Sequence, residues 1–305
     1  MMLAEIDPTV QSCPMCESPE LRLFDAVASD VEGYSSVHIV ECGRCHFAWQ
    51  YPLGRTMTES VEHFDRNYRA EGKRLSGYFD PERKTDIARF EVDFLSQLAL
   101  PGKRLLDIGA GAGIFAKVAA ERGFSVTALD PALELERISG LPNLQGVRGT
   151  MSDLPPDELF DVITMWDVIE HLVTPLAIID EAKKRLRTGG WLVLETGNYK
   201  SADRVQEGTR HWMYQLDHRW YFSPESMEKI LLDRGFSEVV HADRVLRPGW
   251  GGEAHFRGPS RMHLVRELLA DPTHASTAFS TFSAMKRASG WPRAGVGIFT
   301  LAARV

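Results

Sequence analysis

The chain has 305 residues, a formal net charge of −7 and 44% hydrophobic residues, enough for one large apolar core and a small accessory unit. No apolar run approaches the roughly 18 residues a membrane-spanning helix needs, and the opening MMLAEIDPTV lacks a basic stretch leading into an apolar one, so a cytoplasmic protein is expected. The acidic balance disfavours a nucleic-acid partner, which calls for clustered Lys and Arg; the densest basic run is KKRLR at 183–187, on an expected helix face.

All four cysteines lie in the first 45 residues as two Cys-x-x-Cys pairs, Cys13 with Cys16 and Cys42 with Cys45, with 25 residues between them. Two turns that each present two thiolates can close a tetrahedral Zn²⁺ site, which supplies folding energy that so short a segment cannot draw from its own core. Disulfides suit neither the expected compartment nor two matched pairs, and His46 is an alternative fourth ligand in place of Cys45. VHIVEC leads into the second pair and FAWQYP leaves it, so residues 1–55 are expected to form a zinc-ribbon hairpin. Residues 56–102 carry helical patterning, expected as a linker or lid, clearest in TDIARFEVDFLSQLAL, where Ile87, Phe90, Phe94, Leu95 and Leu98 form one stripe.

From Lys103 short apolar runs alternate with helical stretches: RLLDI, IFAKVAAERG, SVTALD, NLQGVRG, FDVITMW, TPLAIIDEAKKRLRTGG, WLVLE. This is the rhythm of an α/β protein, a parallel sheet with crossover helices, expected over 103–305. Thr174 with Pro175 opens a helix that Gly189 is expected to close, and Ser223 with Pro224 opens another closed by Gly235. SEVVHADRV and AGVGIFTLAARV read as the final strands. The insertion between them, 247–292, with glycines around Trp250, has the length of a pocket flap, a subunit contact or a surface excursion.

Gly109, Gly111 and Gly113 follow an apolar strand and precede a helix, where open α/β sheets bind ligands against bare backbone. The window GAGIFA fits the Ala-ended dinucleotide fingerprint, with Asp130 placed 19 residues past Gly111, so the glycines alone leave NAD open. Asp107 decides against it, because a carboxylate just before the loop would face a pyrophosphate, whereas S-adenosylmethionine brings an ammonium and a sulfonium. Asp130, ending the second strand, can accept both ribose hydroxyls of either ligand.

With LLDIGAGAG, VTALDP, GTMSDLPPDELFDVITMWDVIEHL and LRTGGWLVLETGN in that order, residues 103–196 resemble class I S-adenosylmethionine-dependent methyltransferases. The resemblance implies a Rossmann-like seven-stranded sheet with helices on both faces and an antiparallel last strand, for which GIFTLAARV is the candidate. It implies that Asp107, Gly109, Ala110, Gly111 and Gly113 line the methionine end, that Asp130 and Pro131 hold the ribose side, that Thr150 and Met151 contact adenine, and that Trp166 lies over the cofactor. For Trp166 a core aromatic is the alternative; His171 in IEHL follows the family pattern as a catalytic candidate, with a capping or core histidine as its alternative. CPMC to CGRC followed by FAWQYP extends the resemblance to the front two-thirds of bacterial sugar-nucleotide C-methyltransferases.

Methyl transfer is an in-line displacement, so the protein mainly aligns the reactants and then needs a base. The stretch RHWMYQLDHRWYFSPESM at 210–227 concentrates histidines and aromatics and resembles the substrate-facing segment of those enzymes, with Asp217-His218 in the Glu-His place. His218 is the expected general base, since an imidazole accepts a proton near neutral pH; the alternative is a histidine bonded to backbone beneath the last helix. Tyr214 or His211 is expected to orient the substrate, and Asp217 would fix the His218 tautomer only if the fold turns it back. No second metal cluster of carboxylates, as a Mg²⁺-dependent O-methyl transfer would need, is discernible. A small-molecule acceptor, a sugar or other biosynthetic intermediate, is the leading expectation. RNA recognition by the ribbon is disfavoured by two Arg and no Lys in 13–45, and a non-catalytic binding module is disfavoured by the intact glycine loop.

Overall fold

The computed structural model describes residues 11–27, 36–51, 81–133, 135–138, 140–242 and 297–305. The expected helical pattern over 56–80 and the insertion at 247–292, with Trp250, lie outside the described residues.

The larger part is the expected α/β sheet. In chain order it comprises α1 (Pro81–Leu95), β4 (Arg104–Ile108), α2 (Ile114–Glu121), β5 (Ser125–Asp130), β6 (Leu144–Arg148), β7 (Phe160–Trp166), α3 (Pro175–Lys184), β8 (Leu186–Gly197), α4 (Ala202–Glu207), α5 (Pro224–Asp233), β10 (Glu238–His241) and β11 (Ile298–Arg304). Its seven strands lie in the order β10-β11-β8-β7-β4-β5-β6. The five from β4 to β8 are parallel to one another, and β11 runs antiparallel to both β8 and β10, so the C-terminal strand takes the role expected of it.

Both faces of the sheet are covered, which is why its central strands are mostly apolar on both sides rather than alternating with polar residues. Successive residues part company by the two-residue period of a strand. Leu105, Trp191 and Val193 pack with Val92 and Leu95 of α1 and with Phe115, Ala116 and Ala119 of α2. Leu106, Leu192 and Leu194 pack the other way, with Ile179 of α3 and Met227, Ile230 and Leu231 of α5. Leu105 and Leu106 are fully buried, so truncating either to Ala is expected to cost about 2–5 kcal/mol.

One expected boundary is corrected. α3 ends at Lys184 rather than at Gly189, and β8 already begins at Leu186. Leu186 pairs with Phe160 and Trp191 with Val162, so residues 187–190 bulge out of the ladder. Gly189 takes its positive φ of 76° there, as the turn of a bulge rather than a helix stop.

The N-terminal cysteine segment folds as an antiparallel sheet, β1 (Leu21–Ala26), β2 (Val37–Cys42) and β3 (Ala48–Tyr51). Its fourth strand, β9 (Trp220–Tyr221), comes from the region just before α5 and pairs antiparallel with β3. Phe47 stacks on Trp220 at 6.0 Å between ring centroids and lies 5.6 Å from Phe222, and Tyr199 donates a hydrogen bond to Glu41 at 2.9 Å. The ribbon sheet is thus continuous with the body of the protein through the stretch that carries His218.

Candidate functional site

The first part of the site is the turn from β4 into α2. Gly109, Gly111 and Gly113 have φ of 75°, 53° and 72°, the left-handed region that costs a side chain roughly 1–2 kcal/mol. Space separates their duties. A Cβ on Gly109 would lie 2.4 Å from Val168 Cγ2, and one on Gly113 would lie 2.1 Å from Ile138 Cγ2, so these two let the chain pack on itself. A Cβ on Gly111 would come no nearer than 4.0 Å to a non-neighbouring atom among the described residues, so among these the bare backbone there faces open space.

The carboxylate of Asp130, at the end of β5, braces this turn. Its Oδ2 accepts the Gly111 N–H at 2.9 Å and its Oδ1 the Ala132 N–H at 2.7 Å. A carboxylate has about four acceptor positions, so capacity remains on both oxygens. Asp107 lies at the end of β4, 2% exposed, where its Oδ1 accepts the Thr164 hydroxyl at 2.9 Å. Burial pushes its carboxyl up to about 8, against the lowering effect of Thr164, and Asp130 nearby adds to the rise. Ala110 and Pro131 are half-buried beside the loop. Past β6, Thr150 caps a short 3₁₀ turn, Met151–Asp153, with its N–H on Asp153 Oδ2 at 2.8 Å; Thr150 is exposed and Met151 buried. Trp166, ending β7, packs against Phe115 with ring centroids 5.1 Å apart, and its buried indole Nε1 has no hydrogen-bond partner among the described residues.

The second part adjoins the first through Val168, whose side chain fills the space beside Gly109. Immediately after it, the 3₁₀ turn Ile169–His171 brings His171 against His218, ring centroids 4.7 Å apart. Each ring is anchored through Nδ1 on a backbone carbonyl: His171 on Asp217 at 3.1 Å and His218 on Met213 at 2.7 Å. Donation from Nδ1 leaves Nε2 of each ring with its lone pair. Burial disfavours the imidazolium of His171, but the Asp217 and Glu170 carboxylates outweigh it and hold its pKa above the usual range. Burial and the neighbouring His171 hold His218 below its own. Glu170 is buried, which raises its carboxyl.

Several expectations change here. Asp217 does not orient His218: its Oδ2 lies 3.5 Å from Nδ1 of His171, because the tight turn before β9 directs the two neighbouring side chains differently and gives His218 to Met213. His211 and Tyr214 are 0% and 1% exposed. His211 faces Asp203 with Nε2 to Oδ2 at 3.3 Å, and Tyr214 packs edge-on against Phe24 and Tyr221, so both are enclosed by neighbouring side chains. Glu170 joins the two histidines in a cluster of potential metal ligands that the sequence did not reveal. Its signal in the sequence was only IEH, and His218 lies 47 residues further on.

The four cysteines converge. Cys13 Sγ lies 3.6 Å from Cys45 Sγ and Cys16 Sγ 3.6 Å from Cys42 Sγ, and all four sulfurs lie within 4.8 Å of one another, a spacing that fits a tetrahedral ion. His46 points elsewhere, its Nδ1 paired with Glu41 at 3.1 Å.

A family model described as a methyltransferase domain matches residues 79–242. The chain belongs to that family. Its methyltransferase domain is built on a Rossmann-like seven-stranded sheet. Among its relatives is a ubiquinone biosynthesis O-methyltransferase of Psychrobacter arcticus, 31% identical over 160 residues, 47% of this chain and 62% of that one. A protein of the same name from Xanthomonas campestris pv. campestris is 36% identical over 118 residues, 35% of this chain and 48% of the relative. The methyltransferase thus spans less than two thirds of these relatives' length. In fold it is similar to Burkholderia thailandensis 1,6-didemethyltoxoflavin-N1-methyltransferase, solved with S-adenosylhomocysteine: TM-score 0.50, 16% identity, 86% of this chain and 96% of that one covered.

The residues of the methyltransferase fit its cofactor. The open side of Gly111 admits a ligand to bare backbone, the buried Asp107 offers a carboxylate to an ammonium, Asp130 retains acceptor capacity for ribose hydroxyls, and the indole Nε1 of Trp166 is a donor without an acceptor among the described residues. Among the described residues no helix is long and apolar enough to cross a membrane.

Proposed function

We propose that this methyltransferase moves the methyl group of S-adenosylmethionine to a small-molecule acceptor, a sugar or another biosynthetic intermediate, in the cytoplasm. The observation that carries the reading is the nucleoside cradle of Gly111 and Asp130 set, through Val168, beside the His171–His218 pair. The cofactor supplies a methyl group on a sulfonium. The chain's own part is to hold and align: Asp107, Gly109, Ala110, Gly111 and Gly113 at the methionine end, Asp130 and Pro131 at the ribose, Thr150 and Met151 at the adenine and Trp166 alongside. Alignment of this kind is worth roughly 7–11 kcal/mol. In the ion-free chain the lone pair on His218 Nε2 takes the acceptor's proton, with Nδ1 fixed by Met213.

Zn²⁺ on Cys13, Cys16, Cys42 and Cys45 serves as a structural ion. Through the β3–β9 pairing it supports the segment that carries His218, so the cysteine ribbon serves as a wall of the acceptor side as well as a module. The relatives' names, a ubiquinone-pathway O-methyltransferase and a toxoflavin N-methyltransferase, support a small acceptor, and the net charge of −7 supports it over RNA. The test is transfer of labelled methyl onto a panel of catechols and sugar nucleotides. His218→Ala is expected to bind S-adenosylhomocysteine as the parent does while turning over about 10²–10⁴-fold more slowly; an unchanged rate would remove His218 from the chemistry.

A further inference from the structure

Glu170, His171 and His218 converge on one point: a ligand atom from each lies within 4.8 Å of the other two. Glu170 is 4% exposed, and its Oε2 has no hydrogen-bond partner among the described residues. A buried carboxylate oxygen left without a donor is costly, since it forfeits hydration and gains nothing in return. Each imidazole beside it is held through Nδ1 on a backbone carbonyl, Asp217 O and Met213 O, which leaves its Nε2 for a proton or a ligand. A buried carboxylate and two imidazoles this close together favour positive charge among them, a proton or a metal cation. Backbone carbonyls on the far nitrogens are also the usual outer support of metal-ligating histidines, fixing the tautomer and the aim of the ring.

The scaffold around this point is firm. Arg219 donates its N–H to Glu170 O at 2.8 Å and its guanidinium to His171 O. That ties the turn carrying two of the residues to the strand beside the third. Asp217 adds a second carboxylate at 3.5 Å from His171, so the surroundings favour positive charge.

We propose that Glu170, His171 and His218 form a second divalent-cation site, separate from the four cysteines. Two imidazoles and one carboxylate suit Mn²⁺, Fe²⁺, Co²⁺ or Zn²⁺ rather than Ca²⁺ or Mg²⁺, which favour all-oxygen sets. Three protein ligands leave coordination positions open, and an acceptor oxygen bound there would be acidified by the ion. The inference rests on the reading of the histidine pair as the methyl-accepting end of the site. It changes only what draws the proton away: a held ion when the site is loaded, the bare imidazole when it is not.

The test uses the full chain loaded with one equivalent of zinc, which the four thiolates take first, followed by Mn²⁺ titration read by electron paramagnetic resonance, since Mn²⁺ is a poor thiolate partner. The parent is expected to take up one Mn²⁺, and Glu170→Gln and His218→Gln each to weaken uptake at least about tenfold, with zinc content and S-adenosylhomocysteine binding retained as evidence of folding. His218→Gln, at a half-buried position, decides the matter if Glu170→Gln fails to fold. Absence of Mn²⁺ uptake by the parent, or uptake undiminished in the folded variants, overturns the proposal. If that happens while the parent still binds S-adenosylhomocysteine and transfers methyl, the cation site alone falls. If the parent transfers methyl to none of the acceptors tried but takes up Mn²⁺, the small-molecule reading falls and the cation site stands.

Discussion

Asp107 gives the sharpest quantitative expectation. Burial at 2% exposure raises its carboxyl to about 8 in the free protein, so below that pH most chains carry it neutral. Pairing with the ammonium of the cofactor requires the ionised form, and the free energy of ionising it enters the binding constant. With a pKa of about 8 that cost is about 2.7 kcal/mol at pH 6 and about 0.8 kcal/mol at pH 7.5. The ligand's own α-ammonium, with a model value near 8, keeps most of its charge over that range. S-adenosylhomocysteine should therefore bind about 25-fold more tightly at pH 7.5 than at pH 6, and Asp107→Asn should flatten the dependence to within about twofold. Stability runs the other way. The folded chain holds a proton on Asp107 that the unfolded chain has already lost, so the stability present below pH 4 declines as pH rises toward 8, and Asp107→Asn should remove that decline. Calorimetric titration and thermal melts at both pH values check the two halves. A parent affinity that does not vary with pH, or a variant that keeps the slope, would refute the placement of this carboxylate at the cofactor's charged end.

The glycine loop and the ribbon give further expectations. Gly109→Ala should destabilise the fold, because its Cβ would overlap Val168, while Gly111→Ala should fold at a cost of about 1 kcal/mol and lose cofactor affinity; paired melting and titration separate them. Cys42→Ser should lose zinc, and with it a site whose binding free energy in comparable small modules is about 10–16 kcal/mol. Near-ultraviolet circular dichroism should then report loosening of the Phe47–Trp220 stack, with turnover falling more than cofactor affinity.

Much of this was legible in the sequence, for reasons that differ by residue. The β/α rhythm from Lys103 carried the sheet because parallel strands covered on both faces are short apolar runs between longer amphipathic ones. The glycines and Asp130 were legible because strand, turn and acid stand in one local unit. Four cysteines announced their own convergence. What the sequence hid is long-range or turn-dependent. β9 is two residues long and owes its strand character to pairing with β3. Gly189 follows a basic helical stretch as a stop signal would, yet the helix ends earlier and the chain bulges. Asp217 next to His218 suggested a pair, but the turn gives Asp217 to His171, and the meeting of Glu170 with two histidines 47 residues apart exists only in the folded chain.

The proposed function stands on a nucleoside cradle made by the glycine loop and Asp130. Its most direct test is calorimetric titration of S-adenosylhomocysteine into the parent and Asp130→Asn. One site per chain is expected, weakened about tenfold or more in the variant, as losing a charged acceptor to ribose hydroxyls requires. A parent that binds none, or a folded variant that binds as the parent does, would contradict it.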